Sequence, residues 1–112
     1  MEREHTFLTD LTDNIFISYL ININIDYLVI IVKVEYVNDD IVTSRTQYSI
    51  NQIKQMAMST LDIPMFIFEK SMNEIKQRCG DLPLNRKYSK FTQRLISDLY
   101  IYIDNLKAKK IV

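Results

Sequence analysis

The sequence predicts an α+β domain with the order α-β-β-α-α-α, in which an N-terminal helix and a β-hairpin precede three helices and the hairpin packs against the helices. Two observations predict this class. Residues 27–37 show the two-residue alternation of a strand, and the chain from residue 49 onward shows helical spacing with capping signals. Strands followed by a run of helices are typical of α+β proteins. The length of 112 residues fits a single domain, 1–112, and residues 107–112 are expected to form a frayed tail.

The first predicted element is a helix within residues 7–23. Leu8, Leu11, Ile15 and Tyr19 follow i, i+3, i+7, i+11 spacing, which places apolar side chains on one side of a helix. The β-branched residues from Ile15 onward favour a strand instead. Whether residues 15–24 are helix or strand therefore remains open at this point.

The strongest predicted element is the strand over residues 27–37. One face of this strand is apolar throughout, and the other face becomes polar toward its end. Asn38-Asp39-Asp40 predicts a turn, since these side chains hydrogen-bond their own backbone, and a second strand over residues 41–48 completes a hairpin. A lone two-stranded hairpin is marginally stable, so it needs helices against its apolar face or a hairpin from a second copy.

Capping signals divide the rest of the chain into three helices. Ser49 and Gln52 form a predicted capping box for a helix that ends near Leu61. Pro64 suits the first turn of the next helix, and Gly80, the only glycine, suits its end. We expect these two later helices over residues 65–79 and 89–107.

Residue counts argue against several kinds of chemistry. A single glycine excludes the glycine-rich phosphate loop and the dinucleotide fingerprint, each of which needs at least two. One cysteine and one histidine are too few for a zinc site. General acid–base catalysis needs a positioned group, and His5 has no partner visible in the sequence. We therefore expect no enzyme activity, no metal and no cofactor.

Charge is distributed unevenly along a chain whose formal net charge is zero. Residues 1–40 hold eight acidic and two basic residues, whereas residues 41–112 hold six acidic and twelve basic ones. The basic residues are densest between residues 76 and 94, with an aromatic residue among them: Lys76, Arg78, Arg86, Lys87, Tyr88, Lys90 and Arg94. Three interpretations follow: pairing with the acidic half within one molecule or across a dimer, contact with an acidic protein surface, or nucleic-acid binding.

A second candidate surface is apolar. Met65, Phe66 and Ile67 are followed by Phe68, and four consecutive large apolar side chains on a helix cannot all face one core. Either this turn is buried on two sides or one face of it, formed by Met65, Phe66 and Ile67, meets a partner.

These patterns favour a small non-enzymatic interaction or regulatory protein that binds and modulates a partner protein. The alternative is a nucleic-acid-binding regulator that uses the basic segment 76–94. Self-association as a dimer is expected through the hairpin edge or the last helix. The abundance of Ile, Lys, Asn and Tyr, which have AT-rich codons, is consistent with a phage, viral or mobile-element gene.

Two further features bear on the compartment. The single Cys79 indicates a reducing cytoplasm. The apolar stretch 15–34 carries Asn22, Asp26 and Lys33, which argues against a membrane span.

Overall fold

The computed structural model describes residues 3–59 and 62–112, in which a four-stranded sheet precedes three helices. The elements are β1 (Arg3–Thr12), β2 (Ile15–Ile23), β3 (Tyr27–Tyr36), β4 (Ile41–Ser49), α1 (Ile50–Ser59), α2 (Ile63–Cys79) and α3 (Arg86–Ala108). The order β-β-β-β-α-α-α replaces the predicted α-β-β-α-α-α. The class is still α+β, and the three helices follow the sheet.

The predicted N-terminal helix is wrong, because residues 3–23 form a β-hairpin. Leu8 and Leu11 are spaced as on one helix face, but Leu8 is 62% exposed and Leu11 is 2% exposed. Leu11 lies at a bulge between Asp10 and Thr12. In β2 alternate residues from Ile17 to Ile23 are buried, which is the period of a strand. The β-branched composition therefore outweighs the helical spacing.

The four strands form an antiparallel meander in the order β1-β2-β3-β4. The predicted hairpin is present as β3 and β4, and its turn holds Asp39 at a φ of 71°, a conformation that Asp and Asn tolerate better than most residues. β2 pairs with β3 along its whole length. The hairpin of β1 and β2 therefore supplies the second hairpin within the same chain.

The long helices lie on one face of the sheet. α2 packs against β3 and β4, and α3 packs against β1 and β2. The buried stripe predicted for the last helix is confirmed by Phe91, Leu95, Leu99, Ile103 and Leu106, which are all at most 6% exposed. Every second residue of β2 and β3 meets this stripe and the apolar side of α2 to form the core.

The predicted capping signals are confirmed where the structure describes them. The Gln52 backbone N–H donates to Ser49 Oγ at 3.1 Å, and the Ser49 N–H donates to Gln52 Oε1 at 2.7 Å. Asp62 caps α2 by accepting from the Met65 N–H, and Gly80 ends this helix at a φ of 68°. Leu61, the predicted end of α1, lies outside the described residues.

The last residues of the chain end α3 in a Schellman motif. The Ile111 N–H donates to the Leu106 carbonyl at 2.9 Å, and the Lys110 N–H donates to the Lys107 carbonyl at 3.0 Å. Lys110 takes the left-handed conformation, with a φ of 56°. Ile111 and Val112 are partly buried against the core, whereas residues 107–110 are exposed. Fraying of residues 107–112 stays a prediction.

Candidate functional site

The sheet has a second face, which no helix covers in the described part of the chain. We call this second face the outer face. In β1 and β2 it consists of the even-numbered residues within 4–10 and 16–22, and in β3 and β4 of the odd-numbered residues within 29–35 and 41–47. These side chains point away from the helices, because neighbouring residues of a strand alternate between the two sides of a sheet. An antiparallel sheet can leave one face to water, but such a face is then mostly polar.

The centre of the outer face is apolar. Leu20 and Ile31 are direct cross-strand partners in the two central strands, and both are half-buried. Val29 precedes Ile31 on the same face, and Phe16 and the exposed Leu8 lie toward the opposite end. Leu20, Ile31, Phe16 and Leu8 are half-buried or exposed apolar side chains on the outer face, whereas Val29 is only 5% exposed.

Charges on the outer face are divided between its two sides. Glu4 and Asp10 lie on the edge strand β1, whereas Arg45 lies on the opposite edge strand β4. Lys33 of β3 forms an ion pair with Glu35 of the same strand at 2.8 Å. One edge of the face is therefore acidic and the other is basic.

Asp10 is the acidic residue of this face that contacts the helix layer. Lys87 Nζ lies 2.6 Å from Asp10 Oδ2, and this hydrogen bond lowers the pKa of the Asp10 carboxyl. This ion pair reaches around the β1 edge and joins the acidic N-terminal half of the chain to the basic C-terminal half. It is one example of the pairing between the two halves within one molecule that the charge distribution suggested.

A buried carboxylate forms the second notable cluster, on the covered side of the sheet. Asp98 of α3 is 7% exposed, and its Oδ2 accepts a hydrogen bond from the Tyr19 hydroxyl of β2. Arg94 Nε lies 3.5 Å from the same oxygen. His5 Nε2 lies 2.9 Å from it in an orientation that makes no hydrogen bond. Three side chains thus surround one carboxylate that would be costly to bury alone.

Aromatic rings hold this cluster in place. The Tyr19 ring stacks between those of His5 and Phe7, with both centroid distances at 5.8 Å, and meets Phe91 edge-on at 5.6 Å. The Arg94 guanidinium lies 5.8 Å from the Phe7 centroid. The packing places the Tyr19 hydroxyl at Asp98, so the cluster connects β1, β2 and α3.

Alkaline pH should weaken the fold through Tyr19. Burial raises the pKa of its hydroxyl well above the usual range, and the hydrogen bond to Asp98 raises it further. The unfolded chain ionises this phenol near pH 10, so its contribution to stability is complete below about pH 10 and decreases as pH rises further. Urea unfolding between about pH 8 and pH 11 should show this loss, with a slope of up to about 1.4 kcal/mol per pH unit for each such tyrosine.

Tyr19→Phe is the matched control for this pH dependence. Burial also raises the pKa of Tyr48, Tyr88 and Tyr102, so the variant should keep part of the alkaline loss. A variant whose alkaline loss equals that of the wild type would show that Tyr19 does not couple ionisation to folding.

The predicted basic segment is only partly free. Lys87 and Arg94 form the ion pairs described above, and Arg78 donates a hydrogen bond to the Thr43 carbonyl at the β4 edge. Tyr88 is half-buried against the core. Lys76, Arg86 and Lys90 are exposed and have no ion pair with any described residue. The seven residues therefore divide between internal contacts and an exposed remainder.

Arg94→Glu should cost about 1–2 kcal/mol of stability, because it removes the cation beside Asp98 and adds a carboxylate there. Arg94 is half exposed, so solvent screens the repulsion and limits the cost. Lys90→Glu, one turn earlier on an exposed side of α3, should change stability by less than about 0.5 kcal/mol. Chemical denaturation of both variants checks this. Equal effects would show that Arg94 does not stabilise the buried carboxylate.

The predicted apolar surface is divided between core and solvent. Ile67 is fully buried and Met65 is half-buried, whereas Phe66 is 44% exposed. Tyr100 of α3 lies close by, since its hydroxyl donates to Asp62 Oδ2 at the start of α2. Phe66 is therefore the member of this group that is available to a partner.

The described residues line surface depressions of about 210 to 420 Å³. They contain no group of three His, Cys, Asp or Glu side chains placed to hold a metal ion. A cavity of about 210 Å³ lies between the ends of β2 and α3, with Ile23, Tyr102 and Leu106 in its lining. This volume is below the range typical of small-molecule sites. An open, largely polar depression of about 420 Å³ beside the start of α1, lined by Asp26, Asn51 and Lys54, lies within that range. No described helix is both long and hydrophobic enough to span a bilayer.

Sequence reasoning missed both the outer face and the Asp98 cluster. The sequence did hint at an apolar outer face, because Val29 and Ile31 lie on the second face of the predicted strand. The side on which the helices pack is not visible in that pattern. Tyr19 and Asp98 are 79 residues apart, and no local spacing connects them. No protein-family model, curated protein or solved structure matches this chain.

Proposed function

We propose that this protein acts without chemistry, by binding another protein chain through the outer face and thereby modulating it. The observation that carries this proposal is the apolar centre at Leu20 and Ile31 on a sheet face that the helix layer leaves uncovered. Large exposed apolar patches with polar rims are typical of protein–protein interfaces. The rim of the outer face is polar and charged, with Glu4, Arg45 and Gln47 along its two edge strands.

The Asp98 cluster supports a structural rather than a catalytic assignment. A general base must reach a substrate proton, whereas the Asp98 side chain is 9% exposed and already faces Tyr19, Arg94 and His5. A reducing cytoplasm is part of the proposal, on the ground of the single Cys79. A phage, viral or mobile-element gene is part of it on the ground of composition.

Site-specific photo-crosslinking tests the proposed surface in cells that produce the protein. A photoreactive residue at position 45 lies on the outer face, and one at position 93 lies on the far side of α3; both positions are exposed, so neither change should disturb folding. We expect a protein adduct from position 45 and none from position 93. Adducts from position 93 alone, or from neither position, would contradict the proposal.

Nucleic-acid binding is the second candidate, favoured by the exposed cations Lys76, Arg86 and Lys90. Neutralising about three phosphates would give a slope near −2.7 for log affinity against log salt on duplex DNA. Labelled generic DNA and RNA, measured at low and moderate salt, test it. Arg86→Glu with Lys90→Glu should abolish any such binding, and binding that survives the double change would exclude these residues as its site.

A further inference from the structure

We infer that the chain bound by the outer face is a second copy of this protein, packed sheet against sheet about a twofold axis that runs along the strands. This inference rests on the proposed function above and names its partner. A twofold contact is isologous, so one patch must be complementary to itself. The outer face meets this condition in its size, its apolar centre and its charges.

The size of the outer face fits a stable dimer. Four strands spaced about 4.8 Å apart and seven residues of about 3.4 Å each give a face of roughly 19 by 24 Å. That footprint, about 450 Å² in projection, is a little over half of the ~800 Å² of accessible surface that each partner buries in a standard interface, and the side chains that project from the face add accessible area to it. Sheets that pack face to face are a common arrangement at a separation of about 10 Å.

The apolar centre is complementary to itself under this rotation. An axis along the strands lays β2 of one copy over β3 of the other. Leu20 and Ile31 share one row of the sheet, as direct cross-strand partners. Leu20 of each copy therefore opposes Ile31 of the other copy. These two equivalent contacts bring four apolar side chains together at the middle of the interface.

The charges select this axis. The same rotation lays β1 over β4, so Glu4 lies near Arg45 of the second copy, one row apart in the register. An axis across the strands would instead lay β4 over β4 and bring the two Arg45 side chains toward each other. Like charges across an interface disfavour association, and opposite charges favour it.

The hairpin edge is a weaker surface for self-association than the outer face. Arg78 donates to the Thr43 carbonyl and so occupies a backbone acceptor on the free edge of β4. A side chain placed on an edge strand blocks the addition of another strand. On the β4 side of the sheet, therefore, the face rather than the edge is left for the second copy.

Sedimentation equilibrium of the full chain tests the inference. The wild type should have twice the 13.3 kDa mass of one chain. Leu20→Lys should weaken association at least about 100-fold, because an isologous interface contains the change twice. Ile101→Lys, a matched change at a 56% exposed residue of α3, should leave the mass doubled. A dimer that Ile101→Lys dissociates and Leu20→Lys does not would overturn the inference.

A charge exchange tests the axis without altering the apolar centre. Arg45→Glu should weaken association about tenfold, and the double variant Glu4→Arg with Arg45→Glu should restore it. Failure of the double variant to restore association would overturn the proposed axis. Both residues are exposed, so folding should be unaffected.

Failure of this inference differs from failure of the proposed function. A monomeric wild type that forms a position-45 adduct with a chain of different mass would overturn the second copy as partner and leave the proposed function in place. A monomeric wild type with no position-45 adduct would overturn both.

Discussion

Replacing Asp98 with alanine should lower the free energy of unfolding by about 3 kcal/mol, a large part of the stability of a domain this size. The carboxylate is the shared partner of Tyr19, Arg94 and His5. Its removal leaves the Tyr19 hydroxyl buried without an acceptor, and an unsatisfied buried polar group costs about 1–3 kcal/mol. Urea denaturation at neutral pH measures the loss.

Tyr19→Phe is the control that separates the carboxylate from its partners. It removes one hydrogen bond to a buried carboxylate and keeps the ring beside His5 and Phe7, so it should cost about 2 kcal/mol. The outer face lies on the other side of the sheet, so self-association should persist in both variants under native conditions. An Asp98→Ala cost equal to that of Tyr19→Phe would show that the Arg94 and His5 contacts add nothing.

The second half of the fold was predictable because its signals are local. The Ser49–Gln52 capping box, Pro64 in the first turn of α2 and Gly80 at its end each act within a few residues of where they lie in the sequence. The first 23 residues lack such signals: Leu8 and Leu11 imitate a helix face, and the bulge at Leu11 disturbs the alternation that would have indicated β1.

The candidate site was less predictable, since it depends on which side of the sheet the helices pack against. Ile31, on the second face of the predicted strand, would belong to the core if helices covered both faces. Likewise Arg94 reads from the sequence as one more member of a basic segment, whereas the structure places it beside Asp98. A run of charged residues in a sequence shows only that the charges are close along the chain. The tertiary structure determines which of them form ion pairs within the molecule.

Phe91→Ala should cost about 3–5 kcal/mol, the largest effect expected of any single change considered for this chain. Phe91 is fully buried on α3 and meets the Tyr19 ring edge-on, so its loss leaves a cavity where the last helix joins β2. The change also loosens the packing that holds the Tyr19 hydroxyl at Asp98.

Ile101→Ala on the exposed side of the same helix is the matched control, and it should cost less than about 0.5 kcal/mol. Thermal and urea unfolding of both variants give the comparison. Similar costs for the two variants would mean that α3 is not anchored through Phe91. A Phe91→Ala chain that unfolds at lower urea but still dimerises before it unfolds would show that the packing of Phe91 contributes to stability and is not required for association.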